Sequence, residues 1–232
     1  MESFFTIECL NYTSEKHLSS VSNLHLQLIP DSLIVQFGPT FMKEFYYKKL
    51  PEAKLIQCTL LTCRQRPMAF LAYTFFPHNF MQKGKERYFG LLCWTLLKCI
   101  WERPSRIKTI FQVMRLNTMK ATEKDNTDVE LLSFGVHPDF LNVKDAISGL
   151  RASHLLFESV LCSLKEQNVK TIKMAVKNKN KPTLFFYRSY GATIIQSPHN
   201  DTCIVKLNLD LFRANISYKR RNIYEQTTYV HQ

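Results

Sequence analysis

The pattern of apolar and polar positions predicts both strands and helices in the first half of the chain. Apolar and polar residues alternate over 23–29, and this period of two predicts a first strand. The segment 38–50 has aromatic residues near helical spacing, which predicts a helix that begins at Gly38-Pro39 and ends at Pro51. The first half therefore opens with a strand followed by a helix.

A hairpin and an apolar helix are predicted next. The β-rich runs 54–63 and 68–76 are separated by a short polar turn, which predicts a β-hairpin. The segment 85–101 predicts a helix, and Lys98 interrupts its apolar stretch 88–101. Because about 20 clean apolar residues are needed to span a bilayer, this helix is expected to be buried or interfacial. The segment 106–116 fits either a helix or a strand.

The second half alternates strands and helices more regularly. The predicted elements are a strand over 129–138, a helix over 149–167, a strand over 169–176, a short helix opened by Pro182 and ended by Gly191, and strands over 192–197 and 202–210. A long helix between two strands allows those strands to run parallel. The last two strands are expected to form an antiparallel hairpin.

Composition and charge restrict the class of protein. The 232 residues are 45% hydrophobic and 12% aromatic, which is ordinary for one large globular domain. The net charge of +12 predicts attraction to nucleic acid, an anionic membrane, an acidic protein or a phosphorylated cofactor. The compact basic cluster 218–224 lies in a basic C-terminal tail over 211–232. No nucleic-acid-binding motif accompanies it, so no nucleic acid partner is expected.

The cysteines and the start of the chain indicate a cytoplasmic protein. Seven cysteines are scattered without a framework, which predicts reduced thiols. Without paired Cys-x-x-Cys or His-x-x-x-His spacing, no metal site is predicted. The start has no basic-then-apolar signal, and no transmembrane segment is expected.

The stretch 176–192, VKNKNKPTLFFYRSYGA, carries the most specific pattern in the sequence. It places a valine, an asparagine, a small residue, a Phe-Tyr pair and a glycine at fixed offsets: Val176, Asn180, Thr183, Phe186-Tyr187 and Gly191. This block resembles the closing block of the GNAT superfamily of N-acyltransferases, which transfer an acyl group from coenzyme A to an amine. Thr183 and Ala192 stand where that family usually has an alanine and an aromatic residue.

A second, weaker match lies upstream. Glu130 and Val136 reproduce a glutamate–valine spacing on the fourth strand of the histone-acetyltransferase branch. The resemblance implies an α/β fold, with a mixed, mostly antiparallel central sheet, a parallel splayed strand pair in its middle and helices on both faces. It also implies a single domain over 1–232, in which 1–127 supplies acceptor-side elements and 128–210 binds acyl-CoA.

The resemblance implies acetyl-CoA as acyl donor and no metal. Backbone amides at a helix N-terminus would hold its phosphates, with charge added by Lys144 and Arg151. The loop before that helix departs from the family's pattern, since Ile147 and Leu150 replace the usual Arg/Gln and first glycine. The implied cofactor-binding residues are Phe134, Gly135, Val136, Gly149, Leu150, Arg151, Ala152, Ser153 and Asn180.

Amine acylation needs a base for the amine, donors for the oxyanion and an acid for the departing thiolate. The resemblance assigns Tyr187 as the acid, Glu130 as the base and the backbone of 134–136 as the oxyanion donor. Tyr187 is otherwise a core tyrosine, and Glu130 a solvated strand residue. His137 is either a rival base or a surface histidine. Asn180 either binds the cofactor or caps the helix opened by Pro182.

Three functions remain open. The leading one is a cytoplasmic N-acetyltransferase that moves an acetyl or other acyl group from acyl-CoA to a primary amine of a small molecule. The second takes the acyl group from acidic acyl carrier protein, which suits the net charge of +12. The third is a non-catalytic binding protein on a degenerate GNAT scaffold.

The aromatic residues of the helix over 38–50 are expected to pack on the sheet or to wall the acceptor pocket. A homodimer formed through a sheet edge is compatible with each function.

Overall fold

One sheet organises the part of the chain that the computed structural model describes, residues 5–104, 126–145, 149–196 and 201–212. It has seven strands in the order β1-β2-β3-β4-β5-β7-β6. The strands are β1 Phe5–Cys9, β2 Gln57–Cys63, β3 Arg66–Thr74, β4 Val129–Val136, β5 Thr171–Lys177, β6 Thr193–Ile195 and β7 Thr202–Asn208. Only β4 and β5 pair in parallel; the other neighbouring strands of this sheet are antiparallel.

Helices cover both faces of the sheet. They are α1 Glu15–Leu28, α2 Phe41–Lys49 (a π-helical segment continued by a turn over Leu50–Glu52), α3 Phe80–Arg87, α4 Phe89–Glu102, α5 Ala152–Glu166 and α6 Lys181–Arg188. The core under α1 and α2 lies on what we term the first face, and α5 and α6 bury theirs on the second face. The mixed sheet, its parallel pair and the two helical layers confirm the predicted fold class.

The predicted strand over 23–29 is wrong, because this segment belongs to α1. Ser14 caps the helix by accepting a hydrogen bond from the His17 amide. Leu18 and Val21 then bury a helical stripe that extends through the segment. The first strand is instead Phe5–Cys9, which pairs antiparallel with β2 and was not predicted.

Two helix boundaries also differ from prediction. Pro51 does not end the second helix, because it lies in the first turn of the continuation Leu50–Glu52, where its missing amide is not needed. The helix predicted over 85–101 is two helices that meet at Tyr88, which adopts φ −127° and ψ 36°. The segment 106–116 lies outside the described residues.

The hairpin and the elements of the second half are confirmed. β2 and β3 pair through a turn in which Arg64 and Gln65 have φ of 51° and 64°. Pro182 lies in the first turn of α6, and Gly191 follows that helix with φ of 82°. β6 and β7 form the closing antiparallel pair.

The two cores differ in the side chains that fill them. On the first face, four aromatic residues of α2 are at most 1% exposed, and they are Phe41, Phe45, Tyr46 and Tyr47. These residues therefore pack on the sheet, as the first of their two interpretations predicted. On the second face, Phe157 of α5 is fully buried at the centre of an aromatic cluster.

Candidate functional site

The parallel strands β4 and β5 separate in the middle of the sheet. They pair only at Val129↔Ile172, Glu130↔Lys173 and Leu131↔Met174. Beyond these pairs β4 stays paired with β3 through Val136, while β5 stays paired with β7 through Lys177. The separation leaves a β4–β5 gap, bordered by 132–136 and 175–177, and confirms the predicted splayed pair.

A β-bulge lies at the point where the gap opens. Ala72 of β3 is opposite Ser133, and the next residue, Tyr73, is opposite Leu131, so Leu132 is an extra residue on β4. A bulge bends its strand and redirects the side chains around it. Leu132 packs against the first-face core, and Ser133 also lies on that face, beside the phenol of Tyr46.

Glu130 lies at the closed end of the gap, on the first face. Its neighbours Val129 and Leu131 belong to the second-face core, so the alternation of the strand places Glu130 on the opposite side. Its side chain is 23% exposed, and Oε2 is 4.0 Å from Lys173 Nζ. The negative charge of Glu130 contributes to raising the pKa of the Tyr46 phenol, after the larger effect of burial.

Tyr187 lies on the second face and is 4% exposed. Burial raises the pKa of its phenol well above the usual range, so the hydroxyl is protonated at neutral pH. Its ring packs 5.5 Å from Phe157 and 5.5 Å from Phe186. The tyrosine is therefore both a member of the core and a group that holds a proton. Its role as acid stays a prediction.

Three phenylalanines connect the two sides of the gap on the second face. Phe134 of β4 stacks on Phe157 of α5, with ring centres 5.9 Å apart. It also lies 5.7 Å from Phe186 of α6, the helix that follows β5. Phe157 and Phe186 are 5.2 Å apart, which closes the triangle. We term this set the aromatic bridge; a chain that enters the gap from this face must pass it or displace it.

An ion pair crosses the gap on the first face. Asp31, in the turn after α1, lies 3.1 Å from Nζ of Lys177 at the end of β5. The hydrogen bond from Lys177 lowers the pKa of the Asp31 carboxyl. Because both side chains are exposed, the pair contributes little to stability. It nevertheless marks where the α1 side of the molecule meets the end of β5.

The two described ends of the loop before α5 lie side by side. Lys144 and Arg151 form an antiparallel bridge, and the Asp145 amide donates to the Leu150 carbonyl at 2.8 Å. Gly149 has φ of 68°, a conformation that favours glycine. A Cβ there would meet nothing within 4 Å, so its glycine serves the turn in this structure. Leu150 packs against the second-face core.

The N-terminus of α5 has one amide already in use. The Ala152 amide donates to the Val143 carbonyl at 3.3 Å. The side chain of Arg151, the capping residue, makes no hydrogen bond to the helix. Ser153 follows in the first turn and is half-buried. The predicted phosphate-binding residues 149–153 are thus brought together at one helix end, while their contacts with a cofactor stay predictions.

Asn180 caps α6. Its side-chain oxygen accepts a hydrogen bond from the Thr183 amide at 3.3 Å, as the capping interpretation predicted. Its role in cofactor binding stays a prediction.

His137, the rival base, follows β4. Its Nδ1 lies 3.5 Å from Asp139 Oδ2, and 30% of its side chain is exposed.

The sequence interpretation missed a polar network on the second face. His154 Nδ1 lies 2.6 Å from the Tyr190 hydroxyl, which donates to Glu158 Oε1 at 3.1 Å. Glu158 is 2% exposed. Burial is the main cause that lowers the pKa of His154 and raises that of Tyr190. The spacing of His154 and Glu158, four residues on one helix, was the available signal.

A second polar pair was missed on the first face. His25 of α1 is 1% exposed, and its Nδ1 lies 2.7 Å from the Tyr47 hydroxyl. Its ring packs 4.9 Å from Phe70. Burial lowers the pKa of His25 from 6.5 to about 4, so the ring is neutral at physiological pH. The sequence did not indicate this pair, because the segment 23–29 was interpreted as a strand and not as the helix that brings His25 to Tyr47.

Other features lie away from the gap. A cavity of about 420 Å³ is lined by residues including Thr171, Gly191, Lys206 and Leu211, near the start of β5. Among the described residues, no group of three or more His, Cys, Asp and Glu side chains has an arrangement that would hold a metal ion. No helix within the described residues is both long and apolar enough to cross a membrane.

Comparison with known proteins identifies this architecture. No protein-family model and no curated protein matches the sequence. Among solved structures, an acetyltransferase from Thermus thermophilus matches with a TM-score of 0.52 at 9% identity, covering 89% of this chain and 99% of that one. An acetyltransferase from Streptococcus agalactiae matches with a TM-score of 0.51 at 13% identity, covering 88% and 98%. A GNAT-family acetyltransferase from Staphylococcus aureus matches with a TM-score of 0.50 at 13% identity, covering 88% and 99%. The chain has the fold of the GNAT-family acetyltransferases.

Proposed function

We propose that the protein is an N-acyltransferase that moves an acetyl or other acyl group from acyl-CoA to a primary amine of a small molecule. The observation that carries the proposal is the placement of Glu130 and Tyr187 on opposite faces of the sheet beside one gap. A thioester lying in that gap would meet an amine on the first face and keep its sulfur on the second. Both groups needed for proton transfer are then on the correct sides.

The reaction proceeds by direct attack. Glu130 accepts a proton from the ammonium form of the acceptor, and the neutral amine attacks the thioester carbon. Backbone amides of Phe134–Val136, which border the gap, stabilise the oxyanion of the tetrahedral intermediate. The intermediate collapses, the carbon–sulfur bond breaks, and Tyr187 donates its proton to the thiolate. The second proton of the nitrogen returns through water to Tyr187, and Glu130 releases its proton to solvent, so that both residues are restored.

The N-terminus of α5 suits the phosphates of the donor. The Arg151 side chain leaves the helix start uncapped, and the helix dipole favours an anion there. The backbones of Lys144 and Arg151 pair as an isolated antiparallel β-bridge, which brings the two cationic residues together. Gly149 lies in the loop just before Arg151, and Ser153 lies in the first turn of α5 just after it. These features support acetyl-CoA as donor. The Leu150 carbonyl and the Ala152 amide already form backbone hydrogen bonds within the protein.

Calorimetric titration with acetyl-CoA and with CoA tests the proposal. A cofactor site should give a dissociation constant of about 1–100 μM. Reversing both charges, with Lys144→Glu and Arg151→Glu, should weaken binding at least about tenfold, because two cations beside the phosphates are replaced by anions. Lys16→Glu, on an exposed position of α1, is the matched control. Failure of the wild-type protein to bind either compound would contradict the proposal.

The aromatic bridge favours a second candidate function, a non-catalytic binding protein on a GNAT scaffold. Phe134, Phe157 and Phe186 fill the second-face side of the gap. Single-turnover assays with acetyl-CoA and a panel of small amines distinguish the two functions. Binding without turnover, in both the wild type and a Phe186→Ala variant that removes one ring from the bridge, would favour the non-catalytic protein.

An acyl carrier protein remains an alternative donor. The net charge of +12 suits an acidic carrier, whose phosphopantetheine lacks the adenosine pyrophosphate. Turnover with an acylated carrier protein, in the absence of measurable CoA binding, would select this donor. We place the reaction in the cytoplasm, with 1–127 contributing the acceptor side and 128–210 the donor side.

A further inference from the structure

The outer surface of α4 carries large apolar side chains that face solvent. Phe89 is 59% exposed, Trp94 52%, Leu97 66% and Trp101 90%. At 100° per residue these positions fall within one half of the helix circumference. We term them the α4 apolar face. The opposite side of the helix is anchored in the first-face core, where Cys99 is fully buried.

The α4 apolar face is large for one exposed side of a single helix. Fully burying an aromatic side chain removes about 150–250 Å² from solvent, so the four exposed fractions together present on the order of 500 Å² of apolar surface. That is near the upper end of apolar patches on monomeric soluble proteins, and patches of this size generally mark an interaction site. The face is therefore a candidate docking surface.

The charges of α3 and α4 favour one kind of occupant. Within α3 and α4 and the following residue lie five cations, Lys83, Lys85, Arg87, Lys98 and Arg103, against two anions, Glu86 and Glu102. Five cations against two anions leave this segment with a net charge of +3. Lys98 lies 5.4 Å from the Trp94 ring at the margin of the face. A lysine beside an exposed tryptophan, on a segment of net positive charge, fits an anionic lipid surface.

We propose that the α4 apolar face docks on an anionic membrane surface. Phe89, Trp94, Leu97 and Trp101 enter the boundary between headgroups and acyl chains, and the flanking cations contact lipid phosphates. The helix has 14 residues, about 21 Å, which suits a position in the membrane plane rather than across it. The interaction does not involve the β4–β5 gap, so it is independent of the proposed acyl transfer.

The intrinsic fluorescence of the protein reports directly on this surface. The chain has two tryptophans, and both, Trp94 and Trp101, lie on the α4 apolar face. Vesicles of phosphatidylcholine and phosphatidylglycerol in about a 7:3 ratio should shift their emission to shorter wavelength and should sediment with the full-length protein. Pure phosphatidylcholine should bind at least about tenfold more weakly, because the attraction of several cations is lost.

Matched variants locate the contact without removing either tryptophan. Leu97→Glu should weaken vesicle binding about tenfold or more, because a largely exposed leucine no longer enters the membrane and a negative charge is added. Leu211→Glu, at a leucine 78% exposed beyond β7, should leave binding unchanged. Because both positions are exposed, both variants should fold, which circular dichroism checks.

Four results would overturn the proposal. The first is absence of sedimentation with anionic vesicles. The second is equal weakening by Leu97→Glu and Leu211→Glu. The third is a concentration-dependent dimer that Leu97→Glu dissociates, which would identify a second copy as the occupant. The fourth is tryptophan emission typical of buried indole in the vesicle-free monomer, which would show that another part of the chain covers the face.

Discussion

The buried His25 makes the stability of the protein sensitive to mild acid. Its pKa is lowered from 6.5 to about 4 because burial disfavours the imidazolium. Between these values the unfolded chain binds a proton on this residue that the folded protein does not bind. Stability therefore falls as the pH decreases from about 6.5 to about 4, and the contribution is fully lost below that range.

The size of the effect follows from the same two values. At about 1.4 kcal/mol per pH unit, the difference between a pKa of 6.5 and one of about 4 corresponds to about 3 kcal/mol of unfolding free energy. This is a large share of the roughly 5–15 kcal/mol typical of a domain. The ring has no easy route to solvent, since it packs against Phe70 and is hydrogen-bonded to Tyr47.

Urea unfolding followed by circular dichroism at several pH values measures the effect. The double variant His25→Phe/Tyr47→Phe removes both polar partners while keeping two aromatic rings, so it should lose about 3 kcal/mol less stability between about pH 7 and pH 4. Tyr47→Phe alone keeps the imidazole and should remain acid-sensitive. The pKa of His154 is also lowered, but its effect on the pH dependence of stability is the same in all three proteins and cancels in the comparison. Identical pH dependence in the wild type and the double variant would refute the reasoning.

Three further predictions concern the β4–β5 gap. Tyr187→Phe should lower turnover with acetyl-CoA at least about tenfold if it supplies the proton, and unchanged turnover would exclude it as the acid. Glu130→Gln should flatten the rise of the pH–rate profile on the acid side, and an identical profile would exclude it as the base. Gly135→Ala should destabilise by about 1–3 kcal/mol in urea unfolding, because its Cβ would lie 2.9 Å from Leu28 and from Phe70; unchanged stability would show that both side chains can move.

Local patterns were sufficient for most of the second half of the fold. The helix around Phe157 and the capped helix after Pro182 carry their signals within one or two turns, through an apolar stripe and a first-turn proline. The error at 23–29 has a physical reason. Alternating leucines are compatible with a strand over a short window, whereas the cap at Ser14 and the buried Leu18, farther upstream, determine the helix.

The candidate site was only partly predictable. Glu130 and Tyr187 were assigned through the resemblance and stay predictions, and their separation onto two faces follows from strand alternation and topology. The aromatic bridge was not predicted, because contact between Phe134 and Phe186 requires three elements to meet. The same holds for His154 and Tyr190, 36 residues apart in sequence, whose hydrogen bond depends on how α5 and α6 pack. Such long-range contacts leave no periodic signal.

The strand separation between β4 and β5 places Glu130 and Tyr187 on opposite faces of the sheet, and for the proposed acyl transfer this has a consequence for the order of substrate binding. In the proposed reaction, an acceptor beside Glu130 and a donor beside Tyr187 would approach from opposite faces, so neither would block the other. Both substrates would then occupy the protein together, and each product would leave by the side on which its precursor entered. Initial-rate plots at several fixed donor concentrations should therefore intersect rather than run parallel, the signature of a ternary complex without a modified enzyme form.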